Sequence, residues 1–261
     1  MDIKSVSWKN WHNPDGDGHA GLATVTFTIG EAGSNGADLF EGMIVAAPLG
    51  LAKMCEEEGF VWGRQTIVVD TFRRDETREM VLNFVKDYLG NARGTIHERF
   101  SHAAQLARWE HEDIDVLFDH TAQLAESKNR DRAGVHAGSS RPSTEAQLVE
   151  LSSPDCDLAV GPANHRDFSV RIHARIGATG SCDNAVYEIL LCTPNRVAAM
   201  RDLRQVTLFD GFAFVHSFDL AMLEQEIRDV CADLKGYSSG EAIAKFARYA
   251  RRLTPTSTVN S

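Results

Sequence analysis

The sequence has no long apolar run. Nothing in it approaches the roughly 18 consecutive apolar residues of a membrane-crossing helix, so no helical membrane anchor is expected. It has no paired cysteines. The five present, Cys55, Cys156, Cys182, Cys192 and Cys231, are odd in number, scattered and never spaced C-x-x-C. That argues against a disulfide framework and against structural zinc, and fits the reduced thiols of a cytoplasmic protein. A secretory leader is not expected either. Met1-Asp2-Ile3-Lys4-Ser5 supplies neither the basic nor the apolar region of a signal peptide. There is no excess of positive charge: the formal net charge is -10. Nucleic-acid binders normally present a basic face, and an anionic membrane repels such a chain. Neither class of partner is expected.

What is present has the balance of an ordinary globular protein, 43% hydrophobic and 25% charged over 261 residues. That length accommodates one large or two small domains. The charge is unevenly spread. Residues 1–125 hold 11 Lys and Arg against 20 Asp and Glu, whereas residues 126–261 hold 16 against 17. A basic protein partner would be drawn to the first part.

The two parts also resemble each other. Thr24-Val25-Thr26-Phe27-Thr28-Ile29-Gly30 is followed by Leu39-Phe40-Glu41. At an offset of 147, Arg171-Ile172-His173-Ala174-Arg175-Ile176-Gly177 is followed by Val186-Tyr187-Glu188. Pro48 and Pro194 each precede a short apolar-rich helix, and Phe72 matches Phe218 at offset 146. The next helix carries Met80, Val81, Phe84, Val85, Tyr88 and Leu89 in one copy. In the other it carries Leu220, Leu223, Ile227, Val230, Cys231 and Leu234. Both are apolar stripes at helical spacing, and Gly90 and Gly236 stand at their expected ends. Thr95-x-x-Glu98 and Ser238-x-x-Glu241 then read as capping boxes, at offset 143.

Each copy thus reads as a strand (Ile3 to Lys9; Gln147 to Ser152) and a hairpin (Leu22 to Ile29 with Leu39 to Ala46; Phe168 to Ile176 with Val186 to Cys192). A short helix, another strand (Gln65 to Phe72; Val206 to Phe218) and two helices follow. An antiparallel sheet with helices packed on one face would bury both stripes. The expected fold is α+β, made twice: residues 1–125, a small, polar, breaker-rich linker over 126–144, and a diverged copy over 145–261.

Ile29-Gly30 before a second apolar strand, Trp62-Gly63-Arg64 before a β-branched strand, paired helices and a closing Trp109-Glu110-x-Glu112-Asp113 resemble the Immunity protein 8 family. These are small bacterial proteins encoded beside polymorphic toxins. The resemblance covers roughly residues 1–118, and more weakly roughly 147–253. The second copy has Leu208-Phe209-Asp210 at the Trp-Gly-Arg position and no Trp-Glu-x-Glu-Asp after Leu253. It implies a non-catalytic antidote that binds a cognate toxin, as a diverged tandem duplication.

The motifs that suggest chemistry have plainer readings. His97 and His102 flank Glu98, but they stand five residues apart, about 140° around a helix, whereas the zinc-protease pattern needs four. His12-Asn13-Pro14-Asp15-Gly16-Asp17-Gly18-His19 alternates oxygen and imidazole ligands in a glycine loop. The same residues are standard turn formers. Gly30-x-x-Gly33-x-x-Gly36 lies between two strands and offers no helix N-terminus to a phosphate. There is no Gly-x-Ser-x-Gly elbow, and Ser181-Cys182-Asp183 has no histidine in a defined relation to it.

Partner recognition is therefore expected, with no catalytic residue, metal or cofactor. Trp62 and Arg64 are of the types that dominate interface hot spots. Glu56, Glu57 and Glu58, with Glu110, Glu112 and Asp113, form acidic runs that suit a basic toxin. The alternative is an enzyme of unrecognised type, metal-dependent through the His12–His19 loop.

Overall fold

In the computed structural model, residues 1–14, 16, 18–109, 144–200 and 206–253 are described. Residues 110–119, with the acidic run, and residues 126–143 of the expected linker lie outside them. The first half runs β1 (Asp2–His12), β2 (Leu22–Gly30), β3 (Asp38–Ala46), α1 (Pro48–Glu58), β4 (Phe60–Trp62), β5 (Thr66–Val69), α2 (Arg74–Gly90), α3 (Ile96–Ala103) and β6 (Arg108–Trp109). The second half repeats that order. It runs β7 (Thr144–Ser152), β8 (Ser169–Ala178), β9 (Asn184–Cys192), α4 (Pro194–Met200), β10 (Val206–Leu208), β11 (Phe212–Val215) and α5 (Leu220–Asp233). β12 (Lys235–Gly236), α6 (Ser239–Lys245), a 3-10 turn (Phe246–Arg248) and β13 (Arg251–Arg252) complete it.

Local chemistry explains most of these elements. β2 alternates strictly, with Ala23, Val25, Phe27 and Ile29 buried on one side. α2 answers with Thr77, Val81, Val85 and Leu89 buried one turn apart, and the last three share a core with the strand. Proline opens α1 and α4, where its missing N–H costs nothing. Thr95 and Glu98 form the expected reciprocal capping box on α3. Ser238 caps α6 through the Glu241 amide, while the Glu241 carboxylate takes the amide of Tyr237. Gly90 is the last residue of α2, which is capped by Asn91. α5 stops at Asp233, so Gly236 falls in β12 instead.

The class is α+β, but neither sheet is purely antiparallel. β3 and β5 pair in parallel, and so do β9 and β11. A helix lies between the members of each pair, and a parallel neighbour requires such a crossover.

The two sheets are reciprocally interlocked. The first has the order β1-β2-β3-β5-β10, so its last strand comes from the second half of the chain. The other has the order β12-β7-β8-β9-β11-β4, so its last strand comes from the first half. β10 lies antiparallel on β5, with Val206, Thr207 and Leu208 opposite Val69, Val68 and Ile67. β4 lies antiparallel on β11, with Phe60, Val61 and Trp62 opposite Val215, Phe214 and Ala213. The expected single strand Val206 to Phe218 is in fact two strands serving different sheets, turned at Gly211 with φ +76°. A third core fills the seam. Leu51 and Cys55 of α1 and Val197 of α4 meet there with Val61, Val68, Phe209 and Phe214.

Candidate functional site

The interlock determines what surrounds Trp62 and Arg64. Trp62 ends β4 and is half-buried among aromatics of both halves. Its ring lies 5.0 Å from Phe60, 5.1 Å from Tyr249 and 6.5 Å from Phe246, each edge-on. Gly63 then turns the chain against the facing turn: its amide donates to the Phe212 carbonyl at 2.7 Å. A Cβ there would stand 2.3 Å from the Phe209 carbonyl oxygen, so only glycine fits. That turn delivers the Arg64 guanidinium over the face of Tyr249, 5.3 Å from its centroid, a cation–π contact.

These residues line a cleft of about 500 Å³ along the seam. The first half supplies Trp62, Arg64, Gln65 and Arg108, and the second supplies Asp233, Leu234, Lys245, Arg248 and Tyr249. The lining thus holds four cationic side chains and one carboxylate, in a chain whose net charge is -10, and the charge of Arg64 also acts on Asp210. Lys245 is held by the Lys235 carbonyl at 2.5 Å and by Glu241 at 3.4 Å. The indole Nε1 of Trp62 is buried and has no hydrogen-bond partner among the described residues. Such an arrangement supplies donors and positive charge against a partly apolar wall. It suits an oxyanion presented on an otherwise packed surface.

Glu56, Glu57 and Glu58 do not line the cleft. They are exposed on the last turn of α1, where Glu57 pairs with Lys53 at 3.7 Å and Glu56 reaches His216 of the second half at 3.6 Å. Their charges also act inward. Burial, with Glu58 and Glu56 adding to it, pushes the Cys55 thiol up to about 12. Glu110, Glu112 and Asp113 lie outside the described residues.

Of the cleft residues, sequence reasoning singled out only Trp62 and Arg64. Arg108, Lys245, Arg248 and Tyr249 belong to no local motif. The one signal that marks them is a difference between the copies, where Arg248 stands against Gln105 and Lys245 against His102 at offset 143.

The loop between β1 and β2 is built around a side chain. Phe72 donates its amide to Gly18 at 2.7 Å, and its carbonyl accepts from Asn13 at 3.2 Å. A Cβ on Gly21 would fall 2.1 Å from the Phe72 side chain. The carbonyls of His19 and Gly21 receive the amides of Leu49 and Ala47. His12 and His19 are both exposed; Asp15 and Asp17 lie outside the described residues. Among the described residues no three potential metal ligands come together. Ser181 and Ser239 both donate to Asp183, and those hydroxyls hold its carboxyl below the usual range. Glu98 closes the capping box with Thr95 at the start of its helix.

The family model of Immunity protein 8 matches the chain over residues 1–114 and 146–251. No curated protein and no solved structure gives a significant match.

Proposed function

The chain belongs to the Immunity protein 8 family, and from that premise we propose that it binds and neutralises a cognate bacterial toxin. It does so in the cytoplasm of the cell it protects, by covering a surface the toxin needs, with no chemistry of its own. The observation that carries this reading is the reach of the family match, which takes in most of both halves. The two halves derive from duplication of one immunity unit, and the second has diverged. The contact surface includes Trp62 and Arg64, at the seam where both halves meet.

Electrostatics sets the rate of capture. Nine of the ten excess negative charges fall in residues 1–125, so a basic toxin is steered to that half. Exposed charges are screened over about 8 Å at physiological salt. Association therefore slows steeply as salt rises, while dissociation changes less. Reversing Glu110, Glu112 and Asp113 together to Lys slows association by roughly ten-fold. Reversing Asp202 and Glu224 of the second half has little effect.

The test is co-expression with the toxin encoded beside the gene, followed by stopped-flow binding at two salt concentrations. Growth rescued by the protein, and a stable purified complex, support the reading. A toxin that kills equally with and without it, and does not bind it, removes the immunity role.

A further inference from the structure

The two halves place equivalent residues around two equivalent corners, and the corners differ in charge. At offset 146, Trp62 and Arg64 of one turn correspond to Leu208 and Asp210 of the other. At offset 143, Arg108, Lys245, Arg248 and Tyr249 correspond to Arg251, His102, Gln105 and Leu106. The strand pairing obeys the same correspondence: Arg108 lies opposite Glu41 on β3, and Arg251 opposite Glu188 on β9. At the second corner, His102 stacks on Tyr88 at 4.2 Å and the Tyr88 hydroxyl joins Gln105. Burial, with the negative charge of Asp210, raises the Tyr88 phenol to about 12. So the same fold position carries Asp210, His102, Gln105 and a single arginine, Arg251, at one corner, and three arginines and a lysine at the other. The fold does not demand the cations of the Trp62 cleft.

From this juxtaposition, and resting on the toxin-binding reading, we propose that the Trp62–Arg64–Arg248 cleft is a socket for a carboxylate-bearing segment of the toxin. Long-range attraction brings a basic partner to an acidic protein; one acidic group in the contact surface then seats among Arg64, Arg108, Lys245 and Arg248. Guanidinium groups match a carboxylate with paired donors.

A nucleic-acid strand fits less well. Its bases need open aromatic faces, but Trp62 is ringed by Phe60, Phe246 and Tyr249, and Arg64 covers a face of Tyr249.

The other corner supplies fold-compatible substitutions. Arg64→Asp copies Asp210, and Arg248→Gln copies Gln105. Oligoglutamate serves as the probe on the full-length protein, followed by intrinsic tryptophan fluorescence and calorimetry. The expected result is salt-sensitive binding, weakened roughly ten-fold or more in the double variant and unchanged by Glu57→Lys on α1. Thermal unfolding of the double variant at the wild-type temperature establishes that the fold is kept. No binding of oligoglutamate, or equal binding by wild type and double variant, overturns the socket. So does tighter, equally cleft-dependent binding of a single-stranded oligonucleotide. With the toxin in hand, a double variant that binds it as tightly as wild type also overturns the proposal. A wild type that takes oligoglutamate but ignores the toxin removes the immunity reading and leaves an anion site without that partner.

Discussion

At the scale of single residues, the glycine loop and the cysteines make the sharpest statements. Gly21 is required by Phe72. Gly21→Ala forces a methyl into the ring and is expected to cost about 1–3 kcal/mol, the usual range for overpacking, measured by urea unfolding. His12→Ala and His19→Ala remove exposed side chains and are expected to leave both stability and toxin neutralisation unchanged. A loss of neutralisation with either would restore a functional role to that loop. The thiols separate in the same way. Cys182 is exposed, while Cys55, Cys192 and Cys231 are buried and their thiols pushed up, first of all by that burial. Because the thiolate is the reactive form, a thiol reagent on native protein is expected to label Cys182 and spare those three until the chain is unfolded. Mass spectrometry of the labelled peptides checks the order.

At the scale of elements, small pairings position the loop around Asp155. Its carboxylate takes the Arg171 amide at 2.7 Å and the guanidinium at 2.5 Å, and those bonds hold its pKa below the ordinary 3.8. A carboxyl depressed in the folded state stabilises it above the unfolded value. That contribution is lost as pH falls below 3.8 through the folded value. Asp155→Asn is therefore expected to be less stable than wild type at neutral pH, with the gap closing in acid; denaturant midpoints across pH 2–7 check it. The seam elements are tied more tightly. Gly63→Ala drives a methyl against the Phe209 carbonyl, and its expected signature is faster amide exchange in β4 and β11 than in β8.

At the scale of the whole molecule, each sheet ends on a strand lent by the other half, and a third core seals the seam. Residues 1–125 in isolation lack β10, leave β4 without its partner and open the packing around Val61 and Val68. The fragment is expected to associate or aggregate instead of running as a monomer on gel filtration. Cutting the full protein at a protease site inserted within residues 126–143 is expected to leave the two pieces bound to each other. Phe214 is fully buried in the seam. Phe214→Ala is expected to cost about 3–5 kcal/mol and to lower exchange protection in β5 of the other half along with its own. Independent melting of the halves would show that the seam does not couple them.

The outline of this protein was legible in its residues. Alternation in β2 and β8, the apolar stripes of α2 and α5, the prolines at α1 and α4 and the caps at Thr95 and Ser238 are local signals, written within one or two turns of chain. Comparing the copies added the similarity of the halves, and residue type with the family resemblance singled out Trp62 and Arg64. What local signals do not carry is which sheet a short strand joins. Phe60–Trp62 and Val206–Leu208 are three residues each, too short for any periodicity, and nothing near them names a partner some 150 residues away. Their pairing depends on which unsatisfied strand edge lies within reach once both sheets exist, and on burying Val61, Phe209 and Phe214 together. That tertiary choice decided the cleft as well. Arg64 and Arg248 line one cleft because β4 crosses to the other sheet.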